Sequence, residues 1–181
     1  SSAASDVYKR QIKCLDGRTL RRYIFALLTI LWCVLIFSLS AQSGGKSSET
    51  SGGFINMFCE FIVPEFSGFS GIQRAEFVES LQFIVRKCAH FTAYMILSIL
   101  SLQFFATLSR MKKPLHSMIC AWIFSTLYAV TDEIHQLFVE GRSGQLRDVL
   151  IDSAGALCGV LISAGVRALY LHFHKIKKSD D

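Results

Sequence analysis

Residues 23–40 read YIFALLTILWCVLIFSLS, 18 consecutive positions without a charged side chain. A helix of that length can cross the hydrocarbon core of a bilayer, which needs about 20 apolar residues. A cleaved signal peptide is the competing interpretation, because basic residues precede the run and small residues end it. The run is longer than a usual signal core and further apolar runs follow, so we predict a retained first span.

Three further apolar runs lie on its C-terminal side, at 83–108, 117–138 and 149–173. Hydrophobic residues make up 51% of the chain and charged residues 18%, whereas about a quarter of the residues in a soluble domain are charged. These features predict an all-α membrane protein, a bundle of four transmembrane helices. We expect residues 21–174 to form its single domain.

The segment between the first two spans is predicted to lie at the membrane interface. Residues 42–53 are rich in Ser and Gly and are predicted to form a loop. Residues 54–83 contain short amphipathic stretches interrupted by Pro64, which are too short and too charged to span. They predict short amphipathic interfacial helices between spans one and two.

The net charge of +5 comes from short basic clusters beside the apolar runs. This distribution disfavours nucleic acid as a partner and follows the positive-inside rule. With four spans, the basic segments 1–20 and 175–181 fall on the same side as Arg110, Lys112 and Lys113. We therefore predict a multi-pass protein with both termini in the cytoplasm.

The ionisable residues of spans two to four lie toward the opposite, outward-facing helix ends. Asp132 and Glu133 precede Phe138 by six and five residues, so they lie roughly 8–9 Å inside the helix end at about 1.5 Å per residue. A charge at that depth needs a partner or water. Spacings of three or four residues group the polar side chains on one face of each span: Lys87, His90, Phe91 and Tyr94; Tyr128, Asp132, His135 and Gln136; Asp148, Asp152, Gly155 and Gly159.

We predict that these faces meet in one outward-facing pocket. Its candidate catalytic residues are His90, Asp132, Glu133 and Asp148, and its candidate ligand-binding residues are Arg86, Lys87, Tyr94, Tyr128, Gln136, Arg142 and Asp152. Asp132 is expected to pair with Lys87 or Arg142. In the competing interpretation, such ion pairs only fix the packing of the helices. No spacing such as HExxH occurs, so we expect neither a metal nor a cofactor.

Three motifs resemble those of the VanZ-like family of bacterial integral membrane proteins: RKCAHFTAY at 86–94, YAVTDEIHQLFVEGR at 128–142 and DVLIDSAGALCG at 148–159. Two positions depart from the family's pattern, since Asp152 replaces an expected Asn and Glu140 a common Pro. The family's polar and small positions fall here on Lys87, His90, Tyr94, Asp132, Glu133, Gln136, Gly141, Arg142, Asp148, Gly155 and Gly159.

The resemblance implies a bacterial plasma membrane and a cell-envelope role, because the family is named after a protein linked to resistance to teicoplanin, a lipid-bearing glycopeptide. Our leading hypothesis is a pocket that binds an anionic head group or a glycopeptide-like amphiphile, with a membrane lipid or lipid-linked envelope molecule as partner. The alternative is an enzyme on a lipid-linked substrate, in which His90 acts as general acid or base. A proton-coupled transporter or scramblase is disfavoured, since the sequence shows neither a repeat nor helix-breaking prolines within the spans.

Overall fold

The computed structural model describes residues 17–108 and 113–180, with side chains as far as residue 175. Four helices in this part are long and apolar enough to cross a membrane, which confirms the predicted all-α four-span architecture. Arg110, Lys112 and most of segment 1–20, on which the orientation prediction rests, lie outside the described residues. The helices are α1 (Gly17–Ser40), α2 (Gly44–Ile62), α3 (Gly71–Phe105), α4 (Pro114–Gln136) and α5 (Leu146–Asp180), with a short 3-10 helix (Pro64–Gly68) before α3.

Contacts at both ends of α1 establish how the spans alternate. At its start, Arg21 Nη2 donates to Gln103 Oε1 near the end of α3, at 2.5 Å. At its end, Ser40 Oγ donates to Asp132 Oδ2 near the end of α4, at 2.8 Å. α3 therefore runs antiparallel to α1, and α4 runs parallel to it. We call the end at which α1 and α4 finish and α5 begins the Ser40 end.

The centre of the bundle is held by small residues and a compact apolar cluster. A Cβ on Gly155 of α5 would collide with the Phe91 carbonyl oxygen of α3, and one on Gly159 would collide with the Met95 carbonyl oxygen. This is the close helix approach that the Gly155-xxx-Gly159 spacing predicts. The adjacent core contains Ile36, Tyr94, Leu97 and Ala129.

The predicted loop at 42–53 was wrong, because α2 already begins at Gly44. Ser43 caps the helix, and its side chain accepts a hydrogen bond from the Lys46 amide at 3.4 Å. The glycines here are contact residues: a Cβ on Gly44 would collide with the Gly141 carbonyl oxygen. Glycines that read as helix breakers in the sequence instead allow the helix to pack closely.

Helices do lie between spans one and two, as predicted, but the predicted boundary with span two was wrong. α3 continues without a break from Gly71 to Phe105, because Ser70 and Gln73 form a capping box that starts the helix early. The chain turns at Pro64, as predicted. We call α2, the 3-10 helix and residues 71–85 the hairpin; its core is formed by Ile55, Cys59, Phe66 and Val78.

Candidate functional site

Ionisable and amide side chains are buried together at the Ser40 end of the bundle. Burying a carboxylate in a membrane is unfavourable unless it has partners. Four carboxylates and one amide at this end are less than one-tenth exposed: Asp132 (3%), Glu133 (6%), Gln136 (4%), Asp148 (9%) and Asp152 (1%).

One ion pair and one histidine–carboxylate contact connect α3 to α5. Lys87 Nζ contacts Asp148 Oδ2 in the first turn of α5. One turn deeper, His90 Nδ1 lies 3.6 Å from Asp152 Oδ2. Because residues three or four apart share a helix face, each pair joins matching positions on the two helices.

Asp132 has neutral partners instead of the cation that the sequence analysis expected. Ser40 donates to its Oδ2 at 2.8 Å, and Gln136 donates to the same oxygen at 3.3 Å. The other oxygen, Oδ1, is buried and has no hydrogen-bond partner among the described residues. The expected pairing with Lys87 was wrong because Lys87 faces α5, whereas Asp132 faces the end of α1.

Glu133 is bonded to the backbone of the loop between α4 and α5. Its Oε2 accepts the Gln145 amide hydrogen at 2.8 Å, just before α5 begins. Gly141 in this loop has φ +70°, a left-handed conformation that favours glycine. Gly144 packs against the Glu133 carbonyl oxygen so closely that an added Cβ would come within 2.7 Å. Glu133 therefore helps to hold the α4–α5 loop in place.

A cavity of about 400 Å³ lies between α1, α2 and α3 at the Ser40 end, and we call it the arginine pocket. Arg86 of α3 and Arg142 of the α4–α5 loop both line it. Arg142 Nε donates to the Gln42 carbonyl oxygen at 3.1 Å. The other lining residues are Ile36, Leu39, Ser40, Gln42, Ser47, Thr50, Ser51, Phe54, Val85, Ala89, His90 and Ala93.

The two guanidinium groups are not neutralised by paired carboxylates. In the described residues, ion pairs join Arg74 to Glu60 and Lys87 to Asp148, and His90 lies beside Asp152. Neither Arg86 nor Arg142 takes part in such a contact.

The pKa of Arg142 is consistent with two positive charges lying close together in the pocket. Burial lowers the pKa of Arg142, and the positive charge of Arg86 lowers this pKa further. Asp132 and Glu133 oppose that shift from a greater depth in the bundle. The arginine pocket thus presents two like charges to whatever enters it.

The predicted site residues therefore fall into three groups. Arg86, His90 and Arg142 share the arginine pocket. Tyr94, Asp132, Gln136, Asp148 and Asp152 are buried behind it, between the helices. Lys87 lies on another side of α3, in a surface groove that it shares with Arg147.

Tyr128 also lies away from the pocket lining. Its hydroxyl donates to the Cys33 carbonyl oxygen at 2.6 Å, and its ring lies 6.3 Å from that of Tyr94, between centroids. In the described part of the chain, no three His, Cys, Asp or Glu side chains are placed to hold a metal ion together.

Sequence reasoning missed the wall formed by Ser47, Thr50 and Ser51 of α2. The available signal was the Ser-rich composition of residues 42–53 directly after the first span. Because that composition was interpreted only as a loop, the helical wall of the pocket was not predicted.

Comparison with known proteins identifies the family. No curated protein and no solved structure matches the chain. A family model described as VanZ/LLP1 matches residues 25–168, which include all three motifs and extend from the third turn of α1 to residue 168 within the fourth span. Since this match covers most of the 181 residues, the chain belongs to the VanZ/LLP1 family.

Proposed function

We propose that this protein is a cell-envelope membrane protein whose arginine pocket faces outward and binds the anionic head group of an amphiphile. The observation that carries the proposal is the presence on one cavity of Arg86 and Arg142, neither of which is paired with a carboxylate among the described residues. Guanidinium groups present planar, forked donors that match phosphate and carboxylate oxygens. Two of them at the membrane surface favour an anion over a zwitterion.

The remaining walls suit the hydroxyl or amide groups of a head group. Thr50 and Ser51 donate their own hydroxyl hydrogens to helix carbonyl oxygens, Thr50 to Lys46 at 3.0 Å. Their oxygen lone pairs therefore remain free to accept from a ligand. The pocket offers positive donors on one wall and neutral acceptors on the other.

The packing interpretation accounts for part of the polar end. Lys87 with Asp148 and Glu133 with Gln145 hold helices and a loop in place. It gives no reason for Arg86, which joins no ion pair in the described residues. We therefore assign binding to the arginine pocket, and packing to the Lys87–Asp148 and Glu133–Gln145 contacts.

A retention measurement tests the binding proposal. The protein would be placed in phosphatidylcholine nanodiscs containing a minor fraction of phosphatidylglycerol, and the lipids it retains would be counted by native mass spectrometry. Wild type should retain the anionic lipid preferentially, while Arg86→Gln and Arg142→Gln should lose that preference. Arg147→Gln is the matched control, because Arg147 lies near the same end of the bundle but lines a separate groove. Equal loss in all three variants would indicate general surface charge and would overturn the proposal.

The second candidate is an enzyme, and the His90–Asp152 contact favours it. Asp152 Oδ2 lies 3.6 Å from His90 Nδ1, and His90 also lines the arginine pocket. An imidazole that faces a cavity and lies beside a carboxylate can act as general acid or base on a bound lipid-linked substrate. His90→Gln should then abolish turnover of such a substrate while leaving lipid retention intact. If the His90→Gln protein loses lipid retention and the wild-type protein shows no turnover, the enzyme candidate fails.

A role in protection against teicoplanin-type glycopeptides follows as a cellular proposal. Its support is the family assignment together with a pocket of suitable charge. A sensitive host expressing wild type should tolerate more teicoplanin than one expressing Arg86→Gln at equal membrane abundance. Equal tolerance would remove this role without removing head-group binding.

A further inference from the structure

A second, larger cavity of about 740 Å³ lies along α1, the hairpin and α3, and we call it the apolar groove. Its polar side chains are limited to Trp32, Cys59, Cys88 and Thr92. The Trp32 indole hydrogen already donates to the Ala93 carbonyl oxygen at 2.8 Å. The groove therefore offers apolar surface and almost nothing that would hold a charged group.

The apolar groove is continuous with the arginine pocket. Six residues line both cavities: Ile36, Leu39, Phe54, Val85, Ala89 and Ala93. A ligand that spans the junction would have its charge beside the arginines and its hydrocarbon between α1 and the hairpin. A single amphiphile has the same arrangement, with a charged head group at one end and a hydrocarbon chain at the other.

The length of the groove matches a membrane-lipid chain. From Val85, which lines both cavities, its α3 wall runs away from the Ser40 end as far as Ile96, which is roughly 16 Å at about 1.5 Å per residue. One leaflet contributes about 15 Å of hydrocarbon, half the thickness of the core. The α3 wall beyond the junction therefore follows a lipid chain through about the depth of one leaflet.

We infer that the apolar groove holds the hydrocarbon chain of an anionic membrane lipid whose head group occupies the arginine pocket. This inference rests on the proposed function and adds the chain-binding half of the site. The lipid is recognised by its charge at one end and by an extended chain at the other. A soluble phosphate, which has no hydrocarbon chain, would fill only the arginine pocket.

Native fluorescence can test the inference, because the chain has two tryptophans on different sides of the bundle. Trp32 lines the apolar groove, whereas Trp122 of α4 donates to Ser153 of α5. Bromine atoms on a lipid chain quench a neighbouring indole. Trp122→Phe would leave Trp32 as the reporter, in nanodiscs carrying either phosphatidylglycerol or phosphatidylcholine with brominated chains at the same fraction.

Trp32 should be half-quenched at a several-fold lower fraction of the brominated anionic lipid than of the brominated zwitterionic lipid. In the Trp32→Phe protein, Trp122 should be quenched equally by both. Soluble glycerol phosphate should reduce the preference at Trp32 by competing for the arginines, and should cause no quenching itself. Equal quenching of Trp32 by both brominated lipids would overturn the inference.

Variants at the junction sharpen the result. Ala89 is exposed and lies where the two cavities meet, so Ala89→Phe should block the passage of a chain and abolish the preference. Ala89→Leu should weaken it if the larger substitution fails to fold. Ala154→Phe, at an exposed position on α5, is the matched control and should leave the preference unchanged.

The outcomes separate this inference from the proposed function. If phosphatidylglycerol is retained and lost on Arg86→Gln, but Trp32 shows no preference and Ala89→Phe has no effect, only the groove assignment fails. If no anionic lipid is retained at all, the proposed function fails with it. Two chains per nanodisc and a Trp32 shielded from both lipids would mean that a second copy covers the groove, which would also overturn the inference.

Discussion

The two sides of α3 differ at the Ser40 end of the bundle in how their charged side chains are paired. On the α5 side, Lys87 and His90 each meet a carboxylate, and glycines bring the helices into close contact. On the α1–α2 side, Arg86 faces a cavity and joins no ion pair in the described residues. Charges that are paired within a tight interface stabilise packing, while charges left unpaired beside a cavity are available to a ligand. One helix thus carries both arrangements on adjacent positions.

The largest effect on stability is expected from filling the α3–α5 contact. Gly155→Leu would drive a side chain into the Phe91 carbonyl group, and overpacking of this kind destabilises by about 3 kcal/mol or more. Thermal unfolding in detergent should show a large fall in Tm. Gly165→Leu on the same helix is the control, because nothing lies within 4 Å of a Cβ there. A similar Tm for both variants would refute the close contact.

A smaller loss is expected from breaking the Lys87–Asp148 pair. Lys87→Met leaves the Asp148 carboxylate, whose side chain is 12% exposed, without its cation. Removing one partner from a buried pair costs about 3–5 kcal/mol, and the partial exposure of this pair reduces the expected loss to about 2 kcal/mol. Adding Asp148→Asn should recover part of the loss in a double-mutant cycle. Additive losses would show that the two side chains are not coupled.

A still smaller loss is expected from the neutral partner of Asp132. Ser40→Ala removes a 2.8 Å hydrogen bond to a buried carboxylate, and hydrogen bonds to charged groups contribute about 1.5 kcal/mol or somewhat more. Ser38→Ala is the matched control, since Ser38 is exposed and donates only to Val34 of its own helix. Chemical denaturation of both variants measures the difference. If they are equally stable, Ser40 does not support Asp132.

The spans and the polar end of the bundle could be predicted from the sequence because each depends on local spacing. Hydrophobic runs give the four helices, and intervals of three or four residues place His90 and Asp152 on faces that do meet. The helix from Gly44 could not be predicted in this way, since only the packing against Gly141 shows that its glycines are contacts.

The partners of the buried carboxylates also could not be predicted from the sequence. Spacing tells which residues share a face, but not which neighbouring helix that face meets. Lys87 faces α5 and pairs with Asp148, while Asp132 faces α1 and receives the Ser40 hydroxyl. The rotation of each helix in the bundle decides this, and it is set by contacts along the whole helix.

The most direct measurement of the central claim compares wild type with Arg86→Gln in nanodiscs of phosphatidylcholine, with and without phosphatidylglycerol. A bound ligand raises stability by mass action, and loss of a partly exposed, unpaired side chain should change stability by no more than about 0.5 kcal/mol. We therefore predict equal Tm values in phosphatidylcholine alone, and a rise on adding phosphatidylglycerol that only wild type shows. An Arg86→Gln protein that melts well below wild type in phosphatidylcholine, yet gains the same rise from phosphatidylglycerol, would contradict the account.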